Sequence, residues 1–314
     1  MSPVFCIAKE KMKVPNFLKP LKTEVYIWRR AWRRSLLFSY LYRAYIDAPL
    51  IRWRSTPLET PITNPELSVH MLLCHRDLTM ALWSLASYYQ VVTVVGQLII
   101  HSDGSLTAAD RALISRLLPS ARIIEKAEAD ALVESAAIPN EVKEFRLTKP
   151  VVYLKKLVDT SVVTDTAYHL LIDSDLAWLQ TPTEIESAVL ASEPRSLMTL
   201  NASKCPVYLI GDRKLSEEYA RYNGGVIFFH RDTIDLERLI DFFAQLDMQK
   251  PQRAIGQSGH AYCLQNLIAL PYERYAMRGP ITDTHVMVHY TQVQRERFYT
   301  HALPHIKNLL QQDT

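Results

Sequence analysis

The chain has 314 residues, 48% hydrophobic and 22% charged, and this globular composition excludes disordered and fibrous classes. Only 8 residues are glycine, and neither the GxGxxG dinucleotide fingerprint nor a Walker phosphate loop occurs, so any bound phosphate must be neutralised by a metal or by cationic side chains. Residues 1–60 hold 12 Lys+Arg against 4 Asp+Glu, net +8, and the remainder holds 24 against 29, net −5, so the total of +3 hides two parts with different surroundings.

The first residues, MSPVFCIAKEKMKVP, carry charge early and lack an apolar core, which predicts no secretory signal. Val91–Ile100 is the longest apolar stretch and is interrupted by Gly96 and Gln97; it has about half of the ~20 residues a membrane span needs. Cys6, Cys74, Cys205 and Cys263 are widely separated and form no CxxC pair, so neither a disulfide framework nor a thiolate zinc site is expected. These features together predict a cytoplasmic setting.

From Glu24 to Asp47 there is no Pro or Gly, and Trp28, Trp32, Leu36, Tyr40 and Ile46 recur at helical spacing beside Arg29, Arg30, Arg33 and Arg34. This reads as a basic amphipathic helix. Two roles suit it: peripheral attachment to an anionic membrane through residues 24–47, or packing on the next domain with the arginines solvated. No nucleic-acid module accompanies it, so no nucleic-acid partner is expected. Pro57, Pro61 and Pro65 mark an extended linker, which divides the chain into a basic helical extension with linker, 1–66, and a main domain, 67–314.

Short apolar runs then alternate with helical patterns: strand Val69–Cys74, helix Asp77–Tyr89, strand Gln97–His101, helix Thr107–Leu118, strand Ala121–Ile124. Such alternation predicts an α/β fold with a mainly parallel sheet flanked by helices and ligands at the carboxyl ends of the strands. Asp77 and Thr107 are the expected helix N-caps, Thr107 with Asp110 three residues on. At the first strand end lies Cys74-His75-Arg76-Asp77. After the second, His101-Ser102-Asp103-Gly104 has ordinary turn chemistry.

The sharpest signal is Tyr168–Trp178, where an apolar strand runs into Asp173-Ser174-Asp175. Two carboxylates at the end of a buried strand are costly unless a divalent cation or a capped turn occupies them, and oxygen ligands of this kind suit Mg²⁺ or Mn²⁺. Downstream come Thr181-Pro182-Thr183-Glu184-Ile185, then Tyr222-Asn223-Gly224-Gly225-Val226-Ile227-Phe228-Phe229, and finally Val286–Thr291 with His289-Tyr290. Order and spacing resemble the GT-A (Rossmann-like) nucleotide-sugar glycosyltransferases, especially glycogenin-like family-8 enzymes and their bacterial relatives, over residues 67–292.

That resemblance implies a metal-dependent hexosyltransferase that moves a sugar from a nucleotide diphosphate sugar, a UDP-sugar, to a hydroxyl of a carbohydrate, lipid-linked or protein acceptor, with retention. It implies Asp175 as a metal ligand, Asp173 as a second ligand or an acceptor for the donor ribose, and His289 as the distal metal ligand. An imidazole in the set favours Mn²⁺ over Mg²⁺. His289 as a strand histidine bonded to a carbonyl is the plainer alternative.

The resemblance places Cys74, His75, Ser174, Asn223, Gly224 and Gly225 around the donor. The glycine pair has a second reading, a tight turn into the strand after it. Lys155 and Lys156 precede the Asp pair on a helix; Lys155 is the expected donor contact, with a solvated face as its alternative. One departure concerns acceptor positioning: Gln257 matches the family, but Gly256 stands where relatives carry an acidic residue, leaving Gln257 and His260 as catalytic candidates. Two other functions stay open: a non-enzymatic GT-A-shaped binding or membrane-scaffold protein, and a haloacid-dehalogenase-like phosphohydrolase. The hydrolase pattern fits poorly, because Leu176 follows the second Asp and Glu217-Glu218 is the nearest approach to a later acidic pair.

Overall fold

Buried apolar alternation fixes the strands, and a computed structural model describes residues 19–311 apart from 150, 152, 203, 204, 251, 292 and 293. The first 18 residues, including Cys6 and the charged start, lie outside the described residues. The described residues open with α1 (Lys19–Arg33) and α2 (Leu37–Tyr42), then alternate β1 (Leu67–Leu73), α3 (Leu78–Val91), β2 (Gln97–Ser102), α4 (Ala108–Leu117) and β3 (Arg122–Ile124). Helices α5 (Lys126–Ser135), α6 (Asn140–Thr148) and α7 (Tyr153–Val158) lead into β4 (Tyr168–Ile172), β5 (Leu176–Trp178), α8 (Thr183–Leu190) and β6 (Ser196–Leu200). There follow β7 (Tyr208–Leu209), β8 (Arg213–Lys214), α9 (Glu217–Ala220), β9 (Tyr222–His230), α10 (Leu236–Gln245) and α11 (Ile255–Cys263). The chain closes with β10 (Leu267–Ala269), β11 (Tyr275–Met277), β12 (Met287–His289), α12 (Arg295–Arg297) and α13 (Leu303–Gln311).

Seven strands form the main sheet in the order β10-β6-β9-β4-β1-β2-β3, parallel except for β9, which runs antiparallel to β4 and β6. The mainly parallel sheet flanked by helices is therefore as the alternation predicts. Leu67, Val69, Met71 and Leu73 of β1 enter the larger core with α3, whereas Ser68 and His70 face the other side. A smaller sheet, β11-β12-β5, stands beside it. Thr107 caps α4 reciprocally with Asp110, as its spacing predicts. Asp77 does not cap α3 with its side chain; Arg295 takes that carboxylate in a two-pronged bond of 2.5 and 2.7 Å.

Glu24–Asp47 is not one helix. Ser35 adopts φ 57°, and Leu36 N–H reaches back to Ala31 O at 2.8 Å. That is a left-handed C-terminal cap, usually a glycine's place, so a serine there concealed the break. The chain turns into a hairpin whose second arm continues to Trp53 through helical turns. Ile27, Ala31 and Tyr40 are buried inside it with Tyr299 against them. The hairpin docks on the C-terminal segment, where Arg34 and Arg30 meet Glu296 and Lys307 meets Asp47, and on α3, where Trp83 Nε1–H donates to Ala48 O at 2.9 Å.

Candidate functional site

β4 is buried throughout and ends at Ile172, and β5 begins at Leu176 in the smaller sheet. Asp173-Ser174-Asp175 is thus the passage between the two sheets. Its ends are pinned: Asp173 N–H donates to Gly225 O at 2.9 Å, and Asp175 O accepts from Tyr290 N–H at 2.9 Å. β12 pairs antiparallel with β5, with His289 opposite Leu176. That register brings an imidazole 114 positions away beside Asp175.

His289 Nε2 lies 2.9 Å from Asp175 Oδ1 and 3.6 Å from Asp173 Oδ2. One ligand atom from each of Asp173, Asp175 and His289 falls within 4.8 Å of the others. The other ring nitrogen is held by Asn223: His289 Nδ1 to Asn223 Oδ1 is 2.9 Å. Asn223 Oδ1 also accepts from Gly225 N–H at 2.8 Å, and its amide nitrogen donates to Asn201 Oδ1 at 2.9 Å. This network assigns the oxygen of Asn223 to the imidazole, so Nδ1 carries the proton and Nε2 faces the carboxylates.

A neutral His289 in this tautomer sets a lone pair against a carboxylate oxygen, a contact that only a cation satisfies: a proton on Nε2 or a metal ion. Burial of the ring opposes its charge, but Asp175 in contact and Asp173 nearby outweigh burial and hold His289 above the ordinary imidazole value. Two carboxylates and one imidazole with an orienting amide behind it suit a divalent ion of Mn²⁺ or Mg²⁺ type. Gly225 belongs to the same design. A Cβ there would stand 2.4 Å from His289 Nδ1 and 2.9 Å from Asn223 Oδ1, so only glycine admits the ring.

The cluster forms one wall of a cleft of about 650 Å³ at the carboxyl ends of β1 and β4. Of the residues expected from sequence, Cys74, Asp173, Ser174, Asp175, Asn223, Gly224, Gln257 and His289 line it. Burial pushes the Cys74 thiol up to about 11, so it is a protonated wall group and not a thiolate ligand. Asn223-Gly224-Gly225 is strand and not turn: it lies inside β9, opposite a register shift between Met198 and Thr199. Neither glycine has positive φ. Gln257 accepts Gly224 N–H at 3.2 Å.

Four expected residues do not line the cleft: Gly225 is buried against the ring of His289, and three others are elsewhere. His75 points out to Asp110, Nδ1 to Oδ2 2.6 Å. Lys155 is buried and donates to Ser102 O at 3.1 Å; one residue on, Lys156 lines the cleft and bonds Asp173. Adjacent helix residues point about 100° apart, which decides between the two lysines. His260 is buried, with its Nδ1–H donating to Gly256 O at 2.8 Å in its own helix, and burial lowers it to about 4. It therefore sits neutral behind the helix, against Phe229.

Gly256 itself has a packing reason. A Cβ there would meet Tyr153 O at 2.9 Å, because α11 and α7 press together at this point. An acidic side chain at 256 would separate them. Sequence reasoning missed Asn201, whose role needs β6 and β9 side by side, and the Arg295–Asp77 pair on the cleft wall. Burial works to raise Asp77, but Arg295 and Arg76 hold it down at about 2.

No family model matches the sequence, and no curated protein matches it. Solved structures similar to the chain include the bifunctional glycosyltransferase WbbM in its apo form, at 11% identity and TM-score 0.48 over 80% of this chain. The chain spans about half, 52%, of that protein's length. The galactosyltransferase LgtC in complex with donor and acceptor sugar analogues matches at 13% identity and TM-score 0.45, over 71% of this chain and 87% of that one. Mouse xyloside xylosyltransferase 1 matches at 12% identity and TM-score 0.45, over 72% and 97% of the two chains.

Proposed function

We propose that the chain is a metal-dependent glycosyltransferase of GT-A type, using a nucleotide diphosphate sugar, with UDP-sugar and the glycogenin-like branch as the nearer assignments. One observation carries this reading: Asp173, Asp175 and His289 Nε2 converge at the wall of a ligand-sized cleft, with the imidazole tautomer fixed by Asn223. Asp175 and His289 would hold the ion, with Asp173 as a further ligand or ribose acceptor; Mn²⁺ suits this nitrogen-containing set better than Mg²⁺. When bound, such an ion supplies positive charge against a leaving diphosphate.

The chain's own residues do the rest. Lys156 brings an ammonium to the same wall, next to Asp173. Gln257 holds the backbone at Gly224, where the absence of a side chain lets a sugar ring approach the strand. Gln257 stays the acceptor-side candidate; buried His260 does not reach the cleft. Retention is the proposed stereochemistry, and the acceptor is a hydroxyl of a carbohydrate, lipid-linked or protein molecule.

The test is nucleotide release from a panel of UDP- and GDP-sugars with Mn²⁺, alongside thermal melting with UDP. Release from a UDP-sugar, with a stabilisation by UDP that EDTA abolishes, supports the reading. Melting that ignores both UDP and EDTA, with no release from any donor, overturns it in favour of a non-enzymatic binding protein.

A further inference from the structure

The N-terminal hairpin buries one face and leaves the other bare. Along its second arm Phe38, Tyr42, Ile46, Leu50 and Trp53 follow one another at steps of three or four residues, and all are exposed. Phe38 is 82% exposed, Trp53 83%, Ile46 60%, and on α1 Trp32 is 67%. Helical continuity from 37 to 53 puts these second-arm side chains on one stripe. Trp28 Nε1–H donates to Tyr45 Oη at 3.2 Å across the hairpin, both rings partly open, so the apolar surface passes from one arm to the other. A run of large apolar groups this exposed marks an interaction surface.

Its charge says what it faces. Residues 24–54 contain seven arginines and two carboxylates. Both carboxylates are already engaged: Glu24 accepts from Tyr45 Oη at 2.6 Å, and buried Asp47 pairs with Lys307. Arg30 and Arg34 serve Glu296, but exposed Arg29 and Arg33 meet no carboxylate among the described residues. Tryptophan and phenylalanine beside unopposed arginine is the chemistry of the anionic lipid headgroup zone. No helix among the described residues is long and apolar enough to cross a membrane.

We propose that the hairpin's outer face, from Trp28 to Trp53, lies on an anionic membrane surface and seats the whole chain there as a peripheral protein. The site read from sequence as residues 24–47 thereby becomes two arms and extends to Trp53, with the aromatic stripe of the second arm entering the headgroup layer. The seat adjoins the cleft: Glu296 holds Arg30 and Arg34, and the preceding Arg295 holds Asp77 on the cleft wall. This proposal does not depend on the chemistry of the cleft.

The full chain is sedimented with vesicles of phosphatidylcholine alone or with phosphatidylserine added. Expected is partition onto the phosphatidylserine vesicles that falls as salt rises. Arg29→Ala/Arg33→Ala should weaken partition roughly thirtyfold, at roughly fivefold per arginine. Trp32→Ser/Phe38→Ser/Trp53→Ser should weaken it by at least about tenfold. All these side chains are exposed, so melting temperatures should be unchanged. Failure of the native chain to sediment with anionic vesicles, equal partition onto neutral ones, or indifference to both variants overturns the proposal. So does a dimer in light scattering that the triple serine variant dissolves without any vesicle binding, since the face would then join two copies.

Discussion

Two groups of buried histidines stand on the same scaffold and differ in one respect. His289 meets Asp175 and Asp173 where the chain passes between sheets. His70, His101 and His169 meet one another on the far face of β1, β2 and β4: His70 Nδ1 to His101 Nε2 is 3.0 Å, and His70 Nε2 to His169 Nδ1 is 3.3 Å. Burial pushes His101 down to about 3 and His169 to about 4, and lowers His70 as well. Carboxylate contact reverses the effect of burial at His289. The same side chain is therefore a neutral packing group in one place and a cation-seeking one in the other, and the neighbour decides.

The sharpest way to break this contrast is to remove the carboxylate. Asp175→Asn should cost about 1000-fold in transfer rate, several kcal/mol of lost charge stabilisation, and abolish the EDTA-sensitive melting shift while the fold persists. Full activity in the variant would detach the cluster from the chemistry. Next in size is the support behind the ring. Asn223→Leu leaves Nδ1–H without its acceptor, and Gly225→Ala drives a Cβ into the ring. Each should weaken Mn²⁺ binding by about 10- to 100-fold, read by calorimetric titration; unchanged affinity would mean His289 is no ligand.

The histidine trio acts on stability and leaves metal binding and transfer untouched. These groups bind protons less readily folded than unfolded, so the unfolded chain takes up protons first as pH falls. Stability is then present above the ordinary histidine value of about 6.5 and lost below it, at about 1.4 kcal/mol per pH unit per histidine, down to about 4 for His169 and about 3 for His101. Stability from denaturant unfolding between pH 7.5 and 4.5 should fall with that sign, and His101→Gln should reduce the slope by one histidine's share, about 1.4 kcal/mol per pH unit. A slope untouched by the substitution would place the acid-labile group elsewhere.

Much of this was legible because it is local. The β1–α3–β2–α4–β3 alternation, the Thr107 cap and the strand running into Asp173-Ser174-Asp175 each depend on neighbours within a few residues. What stayed hidden depends on pairings between distant segments or on a single exception. The smaller sheet consists of three-residue strands, too short for any periodicity. Asn201 gains its role only beside Asn223, and Gly256 only against Tyr153. Lys156 and Lys155 are equivalent in sequence and opposite in space, and Ser35 ends a helix where glycine would have announced the end.

The most direct measurement is a crystal soaked with Mn²⁺ and UDP, located by anomalous scattering of the metal. A peak bonded to Asp175 and to Nε2 of His289, with the diphosphate on its open side, is the expected result. A cleft holding UDP with no peak, or a peak bonded to neither residue, would contradict it.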